Sequence, residues 1–254
     1  EVQGTAKASS GGPWRNTILA GLANYIDAGS IVASSAALAL WAQQYNLSDS
    51  FIGILGAFSA NAISAGVGAL IGGRLCDIFG RKRIYQYDML FYAFGMLWLV
   101  FASDPWMIVV GFVLVGLAVG ADIPASWSLI AEMAPSKERG KHSGVAQVLW
   151  YLGPVVVLVM FFLLAPLGIL GAQIVFAHLA IIALILTVLR SQMKESEIWE
   201  EAREESLQSG KKATASFASL FTPSNIKAMV FLISMYGIWN LWAGTNGFFF
   251  PYIL

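Results

Sequence analysis

Two aspartates set inside long apolar runs, Asp27 and Asp122, are the residues of this chain hardest to explain as packing. A charged side chain at the bilayer centre costs about 2.5–3.5 kcal/mol on insertion scales, and such residues usually face a cavity or a partner. Asp27 follows Arg15 by twelve residues, and Asp122 precedes Pro135 by thirteen. At about 1.5 Å per helical residue, both carboxyls are expected about 18–20 Å from the same membrane boundary, near the midplane. No Lys or Arg falls in the middle of the predicted apolar helices, so the pair reads as groups that take up and release a proton. The alternative for either acid is to stabilise a helix break, and Pro124 frees backbone groups beside Asp122.

Neutral amides accompany these acids within the spans: Asn24, Gln147, Asn240 and Asn246. An amide both donates and accepts, which suits a polyhydroxylated ligand, and Trp127 and Trp150 could cover a ring face. Hydrogen bonding between helices is the other use of an intramembrane amide, at about 0.6 kcal/mol each. The single cysteine, Cys76, excludes an internal disulfide and reads as a small apolar filler. His178 is a lone imidazole without a ligand-spaced partner. No His/Cys cluster, phosphate-binding Gly-Lys-Ser loop or nucleophile motif is present. The expectation is therefore no enzyme, no cofactor, no metal, and transport energy drawn from gradients.

These residues must be held by membrane helices. The chain is 57% hydrophobic and only 12% charged, with mean hydropathy +0.69, whereas soluble domains carry about 25% charged residues. A span needs about 20 apolar residues, and the pattern predicts helices near 16–42, 49–75, 84–103, 105–133, 141–164 and 167–189, with another from 223. Long continuous apolar runs exclude the alternation of a strand barrel. The predicted organisation is a cytoplasmic tail over 1–15, a six-helix bundle over 16–189, a cytoplasmic loop with short helices over 190–222, and a seventh helix over 223–254 opening a second bundle. All fifteen Lys and Arg fall on one side of that arrangement, the side that the positive-inside rule makes cytoplasmic. Trp41, Tyr45, Trp98 and Trp106 near the opposite ends fit an aromatic belt.

The connection Gly73-Arg74-Leu75-Cys76-Asp77-Ile78-Phe79-Gly80-Arg81-Lys82-Arg83 resembles the signature loop G-x-L-x-D-x-x-G-R-[RK]-[RK] of the major facilitator superfamily, matching at every defined position. Glu132-Met133-Ala134-Pro135-Ser136-Lys137-Glu138-Arg139-Gly140 resembles the E-x-x-P-x-x-x-R-G run of its sugar porters. Lys194-Glu195-Ser196-Glu197-Ile198-Trp199 is similar to their P-E-S-P-R-W-L, without the prolines and the arginine. Asn240 to Asn246 resembles their helix-seven Q-Q-x-S-G-x-N, and Gln147 stands where they commonly place a sugar-binding glutamine. Two departures stand out. Phe112 occupies the position of the helix-four arginine of proton-coupled sugar porters, and Gly120-Ala121-Asp122-Ile123-Pro124 is closer to the G-G-D-Y-P of phosphate:proton symporters.

The resemblance implies an all-α polytopic fold with 3+3 inverted repeats, in which helices one and four, and hence Asp27 and Asp122, are equivalent. It further implies a cytoplasmic latch of Gly73, Asp77, Gly80, Arg81, Glu132, Arg139 and Glu195. The expected function is alternating-access transport of a sugar, polyol or sugar acid with protons, in a bacterial inner membrane. The expected partners are solute, protons and bilayer, with no nucleic acid, and the expected state is a monomer. An organic cation, an organic or inorganic anion, and a solute sensor that moves nothing are the rival readings.

Overall fold

In a computed structural model, residues 12–60, 62–193, 195, 197–209 and 221–253 are described. The sequence-derived tail residues 1–11, the motif positions Lys194 and Ser196, the linker over 210–220 and Leu254 lie outside them. The described residues are helical almost throughout: α1 (Pro13–Tyr45), α2 (Asp49–Ala57), α3 (Ile63–Phe79), α4 (Arg81–Val100), α5 (Pro105–Met133), α6 (Arg139–Leu164), α7 (Ile169–Ser191), α8 (Glu197–Ser209) and α9 (Ile226–Ile253). Five of them, α1, α5, α6, α7 and α9, are long and apolar enough to cross a membrane by length and composition alone.

Helix ends follow local chemistry. Pro13 opens α1, where its missing N–H costs nothing, and Asn46 closes it in the left-handed region at φ 48°. Ser48 caps α2 by accepting from Phe51 N. The Asp104 carboxylate accepts from Trp106 N and Met107 N at the start of α5. The predicted helix over 49–75 is instead two, α2 and α3, separated by an irregular turn. Ser64 Oγ donates to Phe58 O at 2.9 Å and satisfies one of the carbonyls which that break frees. The only sequence sign of this break is the pair Ser59 and Asn61 within an otherwise apolar run.

Three pairings build the bundle: α1 on α6, α3 on α5, and α4 on α7, with α1 also touching α5, α7 and α9. Small residues set the spacing of α3 and α5. A Cβ at Gly68 would strike the Leu117 backbone, and one at Gly120 the Ala65 carbonyl, so these helices meet backbone to backbone. The placement of α1 at the centre, with Ala20, Ala23, Ala33 and Ala37 fully buried, is what holds Asp27 away from lipid.

Candidate functional site

Four helices bring a charged cluster into the core of this bundle: Asp27 from α1, Tyr85 and Asp88 from α4, Asp122 from α5 and Arg190 from α7. Arg190 Nη1 donates to Asp122 Oδ1 at 2.8 Å and to the Tyr85 carbonyl at 2.9 Å. The guanidinium carbon lies 3.3 Å from the centre of the Tyr85 ring, a cation–π contact that desolvation strengthens. Asp27, Asp122 and Arg190 are 0% exposed and Asp88 is 7% exposed. Neither oxygen of Asp27 has a hydrogen-bond donor, and Asp88 Oδ2 and Asp122 Oδ2 also lack one.

This corrects the sequence expectation at two points. Arg190 does not open the cytoplasmic loop; it is the penultimate residue of α7 and its side chain is wholly buried. Helical side chains tilt towards the helix N-terminus, so an arginine at the very end of α7 reaches back into the bundle. The guanidinium absent at Phe112 is thus supplied by another helix, while Phe112 itself packs among Trp41 and Phe248. Asp88 escaped notice although it meets the criterion applied to Asp27 and Asp122, an acid inside an apolar span.

Asp122 shares Arg190 Nη1 with the Tyr85 carbonyl, and Asp88 lies one turn beyond Tyr85 on α4, so Asp27, Asp88 and Asp122 are buried in one cluster around a single guanidinium. Three carboxyls around one guanidinium would bury two uncompensated charges, which is prohibitive. The arrangement is therefore suited to holding protons.

Beside this cluster lies a cavity of about 570 Å³ between α1, α3, α5, α6 and α9. Its wall includes Trp150, Tyr151, Tyr236, Trp239 and Asn240, and among the described residues no Asp, Glu, Lys, Arg or His. Ala28 and Ile123 line it, each the chain neighbour of a buried aspartate, so the carboxyls stand behind the wall rather than in it. Pro124 and Pro154 also line it, where freed backbone groups are admissible because they border a cavity. Of the amides and tryptophans singled out by sequence, Asn240 and Trp150 reach the cavity. Gln147 is half-buried on α6, one turn before Trp150, and Trp127 is half-buried on α5. Asn24 is fully buried with neither amide atom bonded. Asn246 is exposed and turns its Nδ2 onto the Trp242 carbonyl, 2.8 Å away on its own helix.

An aromatic stack closes the end of the bundle opposite the basic loops. Phe248 of α9 packs edge-on against Phe112 at 6.1 Å and Phe249 at 4.9 Å. Trp41 stacks on Phe176 at 5.5 Å, and Ser35 Oγ donates to the Phe248 carbonyl.

At the basic end, Gly80 adopts φ 97°, which an L side chain rarely tolerates. A Cβ there would also strike the Glu195 carboxylate. Glu195 Oε1 accepts from Arg81 N and Lys82 N, both at 3.0 Å, capping α4 from a distant loop. Trp199 Nε1 donates to the Asp77 carbonyl at 3.0 Å, and Arg81 pairs with Glu132. The Asp77 and Arg139 side chains are exposed, as distinct from the buried clasp on Gly80, and Gly73 has open space around it. Losing a helix cap costs about 1 kcal/mol. Glu195→Ala is therefore expected to loosen the clasp and raise maleimide labelling of Cys76, which is buried at the end of α3. Peptide mass spectrometry would read this, and unchanged labelling would show that the clasp does not gate that end.

The family model of the Major Facilitator Superfamily matches residues 17–254. The chain is 52% identical over 243 residues to the minor myo-inositol transporter IolF of Bacillus subtilis (strain 168), covering 94% of this chain and 56% of that protein. It is 39% identical over 82 residues to the probable inositol transporter 3 of Arabidopsis thaliana, covering 32% of this chain and 14% of that one. Among solved structures it resembles the proton:xylose symporter XylE at TM-score 0.68 and 22% identity, over 77% of this chain and 48% of that chain. The chain thus spans about half the length of the inositol transporter it matches.

Proposed function

The chain belongs to the major facilitator superfamily, and we propose that the complete protein is a secondary transporter carrying a neutral cyclic polyol or sugar together with protons. The observation that carries this reading is the uncharged cavity walled by Trp150, Tyr151, Tyr236 and Trp239. Aromatic faces cover the C–H surface of a ring, and the Asn240 amide can both donate to and accept from hydroxyls. The similarity to a myo-inositol transporter over most of this chain supports the same class of solute.

The separation of the acids from the cavity bears on the rivals. An organic cation would call for a carboxylate in the wall, and an anion for a base; the N-terminal bundle offers the cavity neither. Coupling then acts through the wall: Ala28 and Ile123 face the solute while Asp27 and Asp122 hold the proton behind them. Alternating access would close the bundle in turn at the Phe248 stack and at the Glu195 clasp, with the basic end in the cytoplasm of a bacterial cell.

Currents from proteoliposomes bearing the complete protein test this directly. With no imposed gradient, pulses of myo-inositol or D-xylose are expected to drive an inward positive current, since only a co-transported cation makes a neutral solute electrogenic. Current with amines or organic acids and silence with neutral polyols would overturn the solute class. Tracer uptake of a polyol without current would overturn the coupling.

A further inference from the structure

The members of the buried cluster are not equally sealed. Asp27, Asp122 and Arg190 are 0% exposed and Tyr85 is 1% exposed, whereas Asp88 retains 7%. Of the three acids, Asp88 also lies nearest an end of its helix. It follows Arg81, the first residue of α4, by seven positions, about 10 Å of helix. Asp122 is eleven residues from the same end of α5, about 16 Å. Tyr85, one turn before Asp88 on α4, gives its carbonyl to the same Arg190 Nη1 that donates to Asp122 Oδ1, and Tyr92, one turn after Asp88, donates to the Ile26 carbonyl beside Asp27. These contacts gather the three acids in one buried cluster, with one member towards the basic loops.

We propose that Asp88 is the exchange carboxyl of the proton site, passing protons between the sealed Asp27–Asp122 pair and the solution at the basic-loop end. This rests on the proton-coupled reading above. In the inward half of the cycle a proton leaves the Asp27–Asp122 pair for an Asp88 oxygen, then passes from Asp88 to water. Each transfer moves one proton between oxygens and leaves the donor carboxyl ionised, so no other reactant is needed. The titratable and charged groups gathered with Asp88 are Asp122 from α5, Asp27 from α1, Arg190 from α7, and Tyr85 and Tyr92 on its own helix, with Cys76 buried near the end of α3. Arg190 is the one cation among them. Bound to Asp122 Oδ1, it holds that carboxyl in place within the cluster. Asp88 is a proton-transfer residue in this scheme and touches no solute, because it is absent from the cavity wall.

The test uses the complete protein in proteoliposomes and compares proton-driven uptake of myo-inositol with its counterflow. Asp88→Asn is expected to slow uptake under an inward proton gradient at least about tenfold while counterflow falls less than about twofold, and Asp88→Glu is expected to recover most of the uptake. Equal losses of uptake and counterflow would make Asp88 structural and overturn the proposal. Normal gradient-driven uptake in Asp88→Asn would overturn it while leaving proton coupling intact. Absence of gradient-driven uptake in the unsubstituted protein would remove the coupled reading and this proposal with it. A second measurement needs no variant. A water-soluble carbodiimide applied from the basic-loop side is expected to modify Asp88 at least about tenfold faster than Asp27 or Asp122, read by peptide mass spectrometry. Equal or reversed labelling would overturn the assignment even if Asp88→Asn failed to fold.

Discussion

Arg190→Met is expected to destabilise the complete protein by about 3–5 kcal/mol, the loss typical when one partner of a buried ion pair is removed. Methionine fills much of the same volume but leaves Asp122 Oδ1 and the Tyr85 carbonyl without their donor. It also strips the only buried Arg or Lys among the described residues from a site holding Asp27, Asp88 and Asp122. Adding Asp122→Asn to the same chain is expected to restore most of that stability, because the orphaned charge disappears with its partner. Thermal unfolding of purified protein in detergent checks both variants. Equal midpoints for the single and double variants would show that the pair is not energetically coupled. Arg190→Lys should fall between, since an ammonium keeps the charge but not the planar stack 3.3 Å over Tyr85. Transport should stay lost in the double variant. That separates the structural task of Arg190, which is recoverable, from its task at the proton site, which is not.

The parts of this molecule that could be read from sequence are those in which a residue type was anomalous for its surroundings. Asp27 and Asp122 stood out as acids in apolar runs, and the structure buries both in the core from two different helices. The Gly73–Arg83 connection was legible because Gly80 needs a positive φ that few other residues adopt. What escaped was anything decided by reach or direction. Arg190 was expected to open the cytoplasmic loop over 190–222, outside the bundle. Which way it turns depends on the space α4 and α5 leave beside α7, and no periodicity encodes that. Glu195 was expected to meet another side chain across the latch, yet it caps backbone N–H groups of Arg81 and Lys82. The break between α2 and α3 was missed for the same reason, since it lies where Gly116 of α5 approaches Ser64 and Ser59. Cavity membership followed the same rule. Asn240 and Asn246 are near neighbours on α9, but six residues place them at different angles around the helix, and only Asn240 lines the wall.

Asp27→Asn is expected to abolish accumulation of solute above its outside concentration while leaving solute exchange in place. An amide matches the carboxyl in size, so the local packing and the Arg190–Asp122 pair should survive. It cannot bind and release a proton between the two halves of the cycle, so the empty carrier returns without any tie to the gradient. Asp122→Asn is the instructive contrast. It removes the anion that Arg190 Nη1 contacts at 2.8 Å, leaving a buried guanidinium unpaired, so stability and exchange should both fall. Measured side by side, uphill uptake and counterflow would separate the two aspartates by role: loss of uphill uptake alone marks Asp27 as a proton carrier, and loss of both marks Asp122 as the anchor of the cation. Uphill uptake unchanged in Asp27→Asn would refute the carrier role, and the remaining coupling would have to run through Asp122 and Asp88 alone.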